Sequence, residues 1–146
     1  MTMRKFVFGL ALLLLLAGQA LGREGFPPLT GRGVDEADLF TPAEEEELDR
    51  ILAEFEAATT NQFVVVALRT LGGDDIKQYA AELGHHWGIG QKGKDNGAIL
   101  LIAVDDREVA IQVGYGLEEK LTDGTCGDII REKIIPFFKE GDYYTG

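Results

Sequence analysis

The sequence predicts an α/β sandwich, a mixed sheet with helices on both faces and elements in the order α-β-α-β-β-α. Three observations carry this. Phe63–Leu68 and Ala98–Val104 are apolar runs without alternation, the pattern of strands buried on both sides. Between them Ile76, Tyr79, Ala80, Leu83 and Trp87 recur at helical spacing, and a right-handed crossover through such a helix makes the two strands parallel. Only Asp105-Asp106-Arg107 separates the second run from Val109, Ile111 and Val113, which alternate with Glu108, Ala110 and Gln112, so the chain turns back as a hairpin into a half-exposed or edge strand.

The elements follow in order. Arg4 and Lys5 precede the apolar run Phe6–Ala17, and Ala20-Leu21-Gly22 places small residues at a cleavage site, so residues 1–22 read as a secretory signal peptide. The run is about a dozen residues, short of the roughly 20 that span a bilayer. Gln19 stands where a lipoprotein signal would carry cysteine, so no lipid anchor is expected. Residues 23–33, with Gly25, Pro27, Pro28, Gly31 and Gly33, read as a flexible tether. Thr41-Pro42-Ala43-Glu44 is a capping box with proline at the first helical position, opening a helix with Leu48, Ile51, Leu52 and Phe55 on one face. Asp74 or Asp75 caps the crossover helix. Gly88–Gly97 forms a glycine-rich loop into the second strand, and Gly114-Tyr115-Gly116 closes the third. A last helix near residues 124–139 carries Ile129, Ile130, Ile134, Phe137 and Phe138, and Pro136 kinks it or ends it early.

Composition narrows the function. The 146 residues hold 14 Lys+Arg, 25 Asp+Glu and one cysteine, with 45% apolar residues. One thiol excludes an internal disulfide and any multi-thiolate metal site, and the apolar fraction and its periodicity exclude a disordered chain. The 19 glycines show no triplet period, so they mark turns rather than a collagen-like repeat. Cleavage after Gly22 removes Arg4 and Lys5 and no acid, so the net charge moves from −11 to −13. Such a surface repels nucleic acid and anionic lipid and attracts cations.

Gly88-Ile89-Gly90-Gln91-Lys92-Gly93 matches the dinucleotide fingerprint as a string, but a helix precedes it and a strand follows, the reverse of the required context. No dinucleotide is expected. His85 and His86 are helix neighbours whose side chains diverge by about 100°, so they cannot share a metal. Cys126 lies early in the last helix with no base beside it, the setting of a small packed residue. The acidic clusters are more informative. Asp95-Asn96-Gly97 enters the second strand, and antiparallel pairing brings Gly114–Glu118 to the same sheet edge, with Asp123 just beyond. Carboxylates, an amide oxygen and glycine carbonyls there are the hard oxygen ligands that Ca²⁺ takes. Asp105 and Asp106, with Asp74 and Asp75, lie at the opposite edge as a second cation site or as turn and cap residues.

Several strings taken together resemble the TPM domain family: Val34-Asp35, Asn61-Gln62, Tyr79-Ala80, Trp87-Gly88-Ile89-Gly90, Asp95-Asn96-Gly97, Gly114-Tyr115-Gly116-Leu117-Glu118, Leu121-Thr122-Asp123 and Gly141-Asp142-Tyr143. They run in order from Val34 almost to the C-terminus and delimit a TPM-like domain over residues 34–146. The resemblance implies a three-layer α/β/α sandwich of Rossmann-like layering, export, calcium binding in some members and acid phosphatase activity in the plant branch. The chain ends at Gly146, before the hydrophobic segment and tail of larger bacterial members, which fits a short version or a truncated sequence.

Charge, oxygen-ligand clusters and resemblance together point to an exported calcium-binding interaction module that assists an envelope or membrane protein complex. Asp95 and Asn96 are the leading metal ligands, Glu118 and Asp123 nearby contributors, and Asp142 and Asp35 outlying candidates. The alternative is a weak metal-assisted acid phosphatase acting on phosphate monoesters. A third reading is a structural adaptor with Tyr143 and Tyr144 at the contact.

Overall fold

The structure, a computed structural model, describes residues 25–146; the signal peptide read at residues 1–22 lies outside the described residues. Four strands form one sheet in the order β1 (Gly33–Asp35), β2 (Gln62–Leu68), β3 (Gly97–Ala103) and β4 (Glu108–Val113). The first three are parallel and β4 is antiparallel to β3. Helix α1 (Pro42–Thr59) covers one face and α2 (Ile76–Trp87) the other. This is the three-layer α/β/α sandwich that the sequence predicts.

Each layer follows from local chemistry. The Thr41 hydroxyl accepts the Glu44 N–H, the Glu44 carboxylate accepts the Thr41 N–H, and Pro42 opens α1. Asp75 caps α2 through the Gln78 N–H, and Gly88 ends it in the left-handed conformation that glycine adopts without strain. Strands β2 and β3 are unbroken apolar runs because both faces are covered. Val64, Val66, Ile99 and Leu101 pack toward Ala80 and Leu83 of α2, while Val65, Ala67 and Ile102 pack toward Leu52 of α1.

Two features differ from the sequence reading. The first is β1, which adds a strand ahead of α1 and gives the order β-α-β-α-β-β-α. Three residues are too few to show a period, and they straddle the boundary between the stretch read as a tether and the start of the domain at Val34. Residues 26–33 lie against the domain: the Trp87 Nε1–H donates to the Pro27 carbonyl at 3.0 Å, and Phe26 meets Tyr79 edge-on at 5.2 Å. The second is the last helix, which is divided into α3 (Asp123–Ile129), one π-helical stretch (Ile130–Ile134) and α4 (Ile135–Lys139). Pro136 has no N–H, and its ring would collide with the carbonyl four residues back, so the turn before it widens.

Asp35 shows how acids are used here. Its carboxylate, at the end of β1, accepts the N–H groups of Ala37, Leu39 and Phe40 at 3.0, 2.7 and 2.8 Å and folds the link into α1. Burial, and then the Asp35 carboxylate beside it, raise the Glu45 pKa above the ordinary 4.5. Protonated Glu45 therefore favours the fold, a contribution fully present below pH 4.5 and lost as pH rises through the raised value. Glu45→Gln is expected to raise Tm at about pH 7 and to leave it unchanged below pH 4.5, where Glu45 is itself neutral. A melting series across that range decides the point; equal Tm values at neutral pH would remove the repulsion.

Candidate functional site

The N-terminal ends of β2 and β3 and the C-terminal end of β4 meet at one edge of the sheet, and the loops there are tied together by partly buried polar bonds. Asn96, only 5% exposed, is the buried polar residue among the described residues. Its Oδ1 accepts the Gln91 N–H at 2.8 Å, and its Nδ2 donates to the Thr60 carbonyl at 2.9 Å and to Asn61 Oδ1 at 3.4 Å. The Gln62 carboxamide oxygen takes the Gly90 N–H at 2.7 Å. Asp95 holds a left-handed φ of 47°, and its carbonyl accepts the Gly116 N–H at 3.0 Å. Gly114 and Gly116 press against the Asp95 and Lys94 carbonyls so closely that a β-carbon at either would overlap them.

Two clefts flank this frame. The first, of about 320 Å³, runs between α2 and the ends of β3 and β4, with Gly84 and His85 on one wall, Gln112 on the other, and Asp95, Tyr115 and Glu118 at the rim. The second, of about 260 Å³, lies along Ile111–Val113 and is bordered by Glu118, Leu121 and Asp123. Tyr115 is 81% exposed, although its backbone is fixed by the Leu117 N–H bond to the Gly114 carbonyl.

Of the predicted ligands, Asp95 and Glu118 border one cleft, and Glu118 and Asp123 border the next. Asn96 lies beneath the loop with its carboxamide committed to backbone. Asp35 and Asp142 lie at the other end of the strands, where Asp142 accepts the Thr145 N–H at 3.1 Å. Among the described residues no three His, Cys, Asp or Glu side chains gather as a metal cage. Asp105 pairs with Arg69, and Asp106 accepts the Thr70 hydroxyl and the Leu71 N–H, so turn chemistry accounts for both. Burial, then the Asp123 charge, push the Cys126 thiol up, with Lys77 partly opposing them; a protonated thiol is a poor nucleophile. Tyr143 packs on Phe138 and Tyr144 edge-on to Phe40, so both aromatics make contacts within the chain.

Tyr115 is the residue that the sequence reading passed over. The string shows an aromatic between two glycines at a strand end, but the close approach of both glycines to neighbouring backbone, which fixes its mount, is a long-range feature that the sequence does not carry.

Comparison with known proteins decides the family, because the TPM domain profile matches residues 34–146. The chain belongs to the TPM domain family. It is 28% identical over 110 residues to UPF0603 protein YdjH of Bacillus subtilis (strain 168), a match that takes in 75% of this chain and 41% of that protein. The chain thus spans about two fifths of that relative's length. Among solved structures, the N-terminal domain of a protein from P. gingivalis superposes with TM-score 0.76 at 32% identity, covering 84% of this chain and 81% of that one. The BA42 protein of Bizionia argentinensis gives TM-score 0.63 at 22% identity over 75% and 74%, and the N-terminal domain of cg2496 from Corynebacterium glutamicum 0.62 at 16% over 84% and 76%. The last two speak to the fold alone. In this TPM domain, then, the rigid glycine-framed edge with Tyr115 above it is the arrangement whose use needs explaining.

Proposed function

We propose that this TPM domain is an exported, non-enzymatic interaction module that engages an envelope or membrane protein through the cleft beneath Tyr115. The observation that carries the reading is the exposed Tyr115 ring on a mount fixed by Gly114, Gly116 and Asp95. A tyrosine with a wet face and no packing duty, held on rigid backbone, loses little freedom on binding and supplies a large contact area. The reading of residues 1–22 as a signal peptide supports export.

Calcium enters in a limited way. Asp95 and Glu118 supply carboxylates to one cleft, but Ca²⁺ takes six to eight oxygens and the Asn96 amide is spent on backbone. The donor set does not fit a resident ion. It suits a hydrated one, held weakly at the rim, where bound calcium would neutralise the acids facing a partner.

A photo-crosslinking residue at position 115, with one at exposed Phe137 as control, tests the reading in the intact cell envelope. A discrete partner adduct from position 115 and none from 137 is the expected result. The phosphatase alternative uses the same cleft and predicts turnover of a phosphate monoester that is lost in Asp95→Asn and Glu118→Gln. Such turnover, with no adduct from position 115, would overturn the interaction reading.

A further inference from the structure

A larger cleft among the described residues lies at the other end of the sheet, about 20 Å away at roughly 3.3 Å per strand residue, and takes no part in the reading above. It measures about 900 Å³, the upper part of the range for small-molecule sites. Ile76, Ile102, Val109, Ile130, Ile135 and Phe138 make its walls, contributed by the sheet, the start of α2 and the last helix. Arg107 and Lys139 stand on its lining, together with Glu108.

The charges at this cleft are what set it apart. Of the five arginines among the described residues, Arg32, Arg50, Arg69 and Arg131 are each ion-paired. Arg107 has no acidic partner among the described residues, in a chain with an excess of eleven negative charges. Two of the nearby acids are committed elsewhere, Asp105 to Arg69 and Asp106 to Thr70 and Leu71; adjacent Glu108 makes no ion pair among the described residues. The hairpin also holds Arg107 at φ 54°, a left-handed position that asparagine or glycine fills at less cost. Lys139, like the other lysines among the described residues, makes no ion pair, and it stands on the same lining as Arg107. An apolar cleft whose cations have been left unpaired suits a ligand with an apolar body and one anionic end.

We infer that this cleft binds a single-chain amphipathic anion, a fatty-acyl carboxylate, with the alkyl chain against Ile102, Val109 and Phe138 and the carboxylate toward Arg107 and Lys139. The cations fix polarity and the apolar walls supply the attraction. Glu108 tempers the affinity and makes binding selective for a single negative charge.

Calorimetric titration of monomeric dodecanoate into the purified protein tests this, with dodecyltrimethylammonium as the tail-matched cation. Dodecanoate is expected to bind one-to-one with Kd on the order of 10–100 μM, and the cation at least about tenfold more weakly. Arg107→Gln with Lys139→Gln, both on exposed side chains and checked for an unchanged melt, is expected to weaken dodecanoate about tenfold or more, and Glu108→Gln to strengthen it. Val109→Trp, which narrows the cleft beside Ile102, is expected to weaken binding. Equal binding of the two amphiphiles, an unaltered Kd in the double variant, or no heat at all would overturn the inference. So would sedimentation with phosphatidylglycerol vesicles in the absence of dodecanoate binding, which would mark a membrane-facing surface instead. Because position 115 takes no part, these results stand or fall separately from the crosslinking experiment.

Discussion

Gly116→Ala is expected to destabilise the domain by about 3 kcal/mol, the upper end of overpacking effects, and to lower Tm by about 10 °C. The added β-carbon would overlap the Lys94 carbonyl oxygen and crowd that of Asp95, and both are backbone atoms that no rotamer change can move aside. Relief requires the turn to lift away, which breaks the Gly116 N–H bond to Asp95 and tilts Tyr115 off its mount. The control is Gly124→Ala, where the nearest atom to a new β-carbon is the Thr122 hydroxyl oxygen at 3.8 Å. There alanine is expected to be neutral or mildly stabilising, because it lies in the first turn of a helix. Thermal melts of the pair decide the matter, and a Gly116→Ala melt within about 2 °C of wild type would mean that the loop has slack the structure does not show.

Removing the Asn96 side chain has an effect of similar size for a different reason. Asn96→Ala leaves the partly buried Gln91 N–H and Thr60 carbonyl without their side-chain partner, at up to about 1–3 kcal/mol each, and opens a void beneath the loop. A loss of about 3 kcal/mol is expected by urea denaturation, whereas Asn61→Ala, which gives up one contact at 3.4 Å, is expected to cost under about 1 kcal/mol. The same experiment separates a structural from a ligating role. If Asn96 is a staple, the loss is the same with calcium present or chelated; a loss seen only with calcium present would return Asn96 to the ligand set.

The sandwich was legible because its strongest features are local. The threonine–proline–glutamate capping box, two buried strands without alternation and the short acidic hairpin each state their structure within a few residues. What stayed hidden was long-range. Strand β1 is three residues that become a strand only when Val65–Ala67 lies beside them. Residues 26–33 look like linker because proline and glycine dominate, yet Pro27 is held by Trp87, 60 positions away. For the site, spacing placed Asp95 and Glu118 at one edge correctly, since antiparallel pairing is a matter of counting. It could not show that the Asn96 side chain turns inward, or that Asp35, Asp106 and Asp142 spend carboxylate oxygens on backbone N–H groups. An acidic composition says how many oxygens exist and nothing about which remain free.

The wide turn at Ile130–Ile134 decides which aromatic ring enters the sandwich. A π-helical turn absorbs one extra residue, so everything after it is rotated by about 100° relative to an uninterrupted α-helix. With that rotation Phe138 joins the cluster beneath α1 and Phe137 stays 37% exposed; an unbroken helix of the same length would present Phe137 in its place. Neither ring chooses its own fate. Pro136, through the N–H that it lacks, sets the reading frame for the end of the chain.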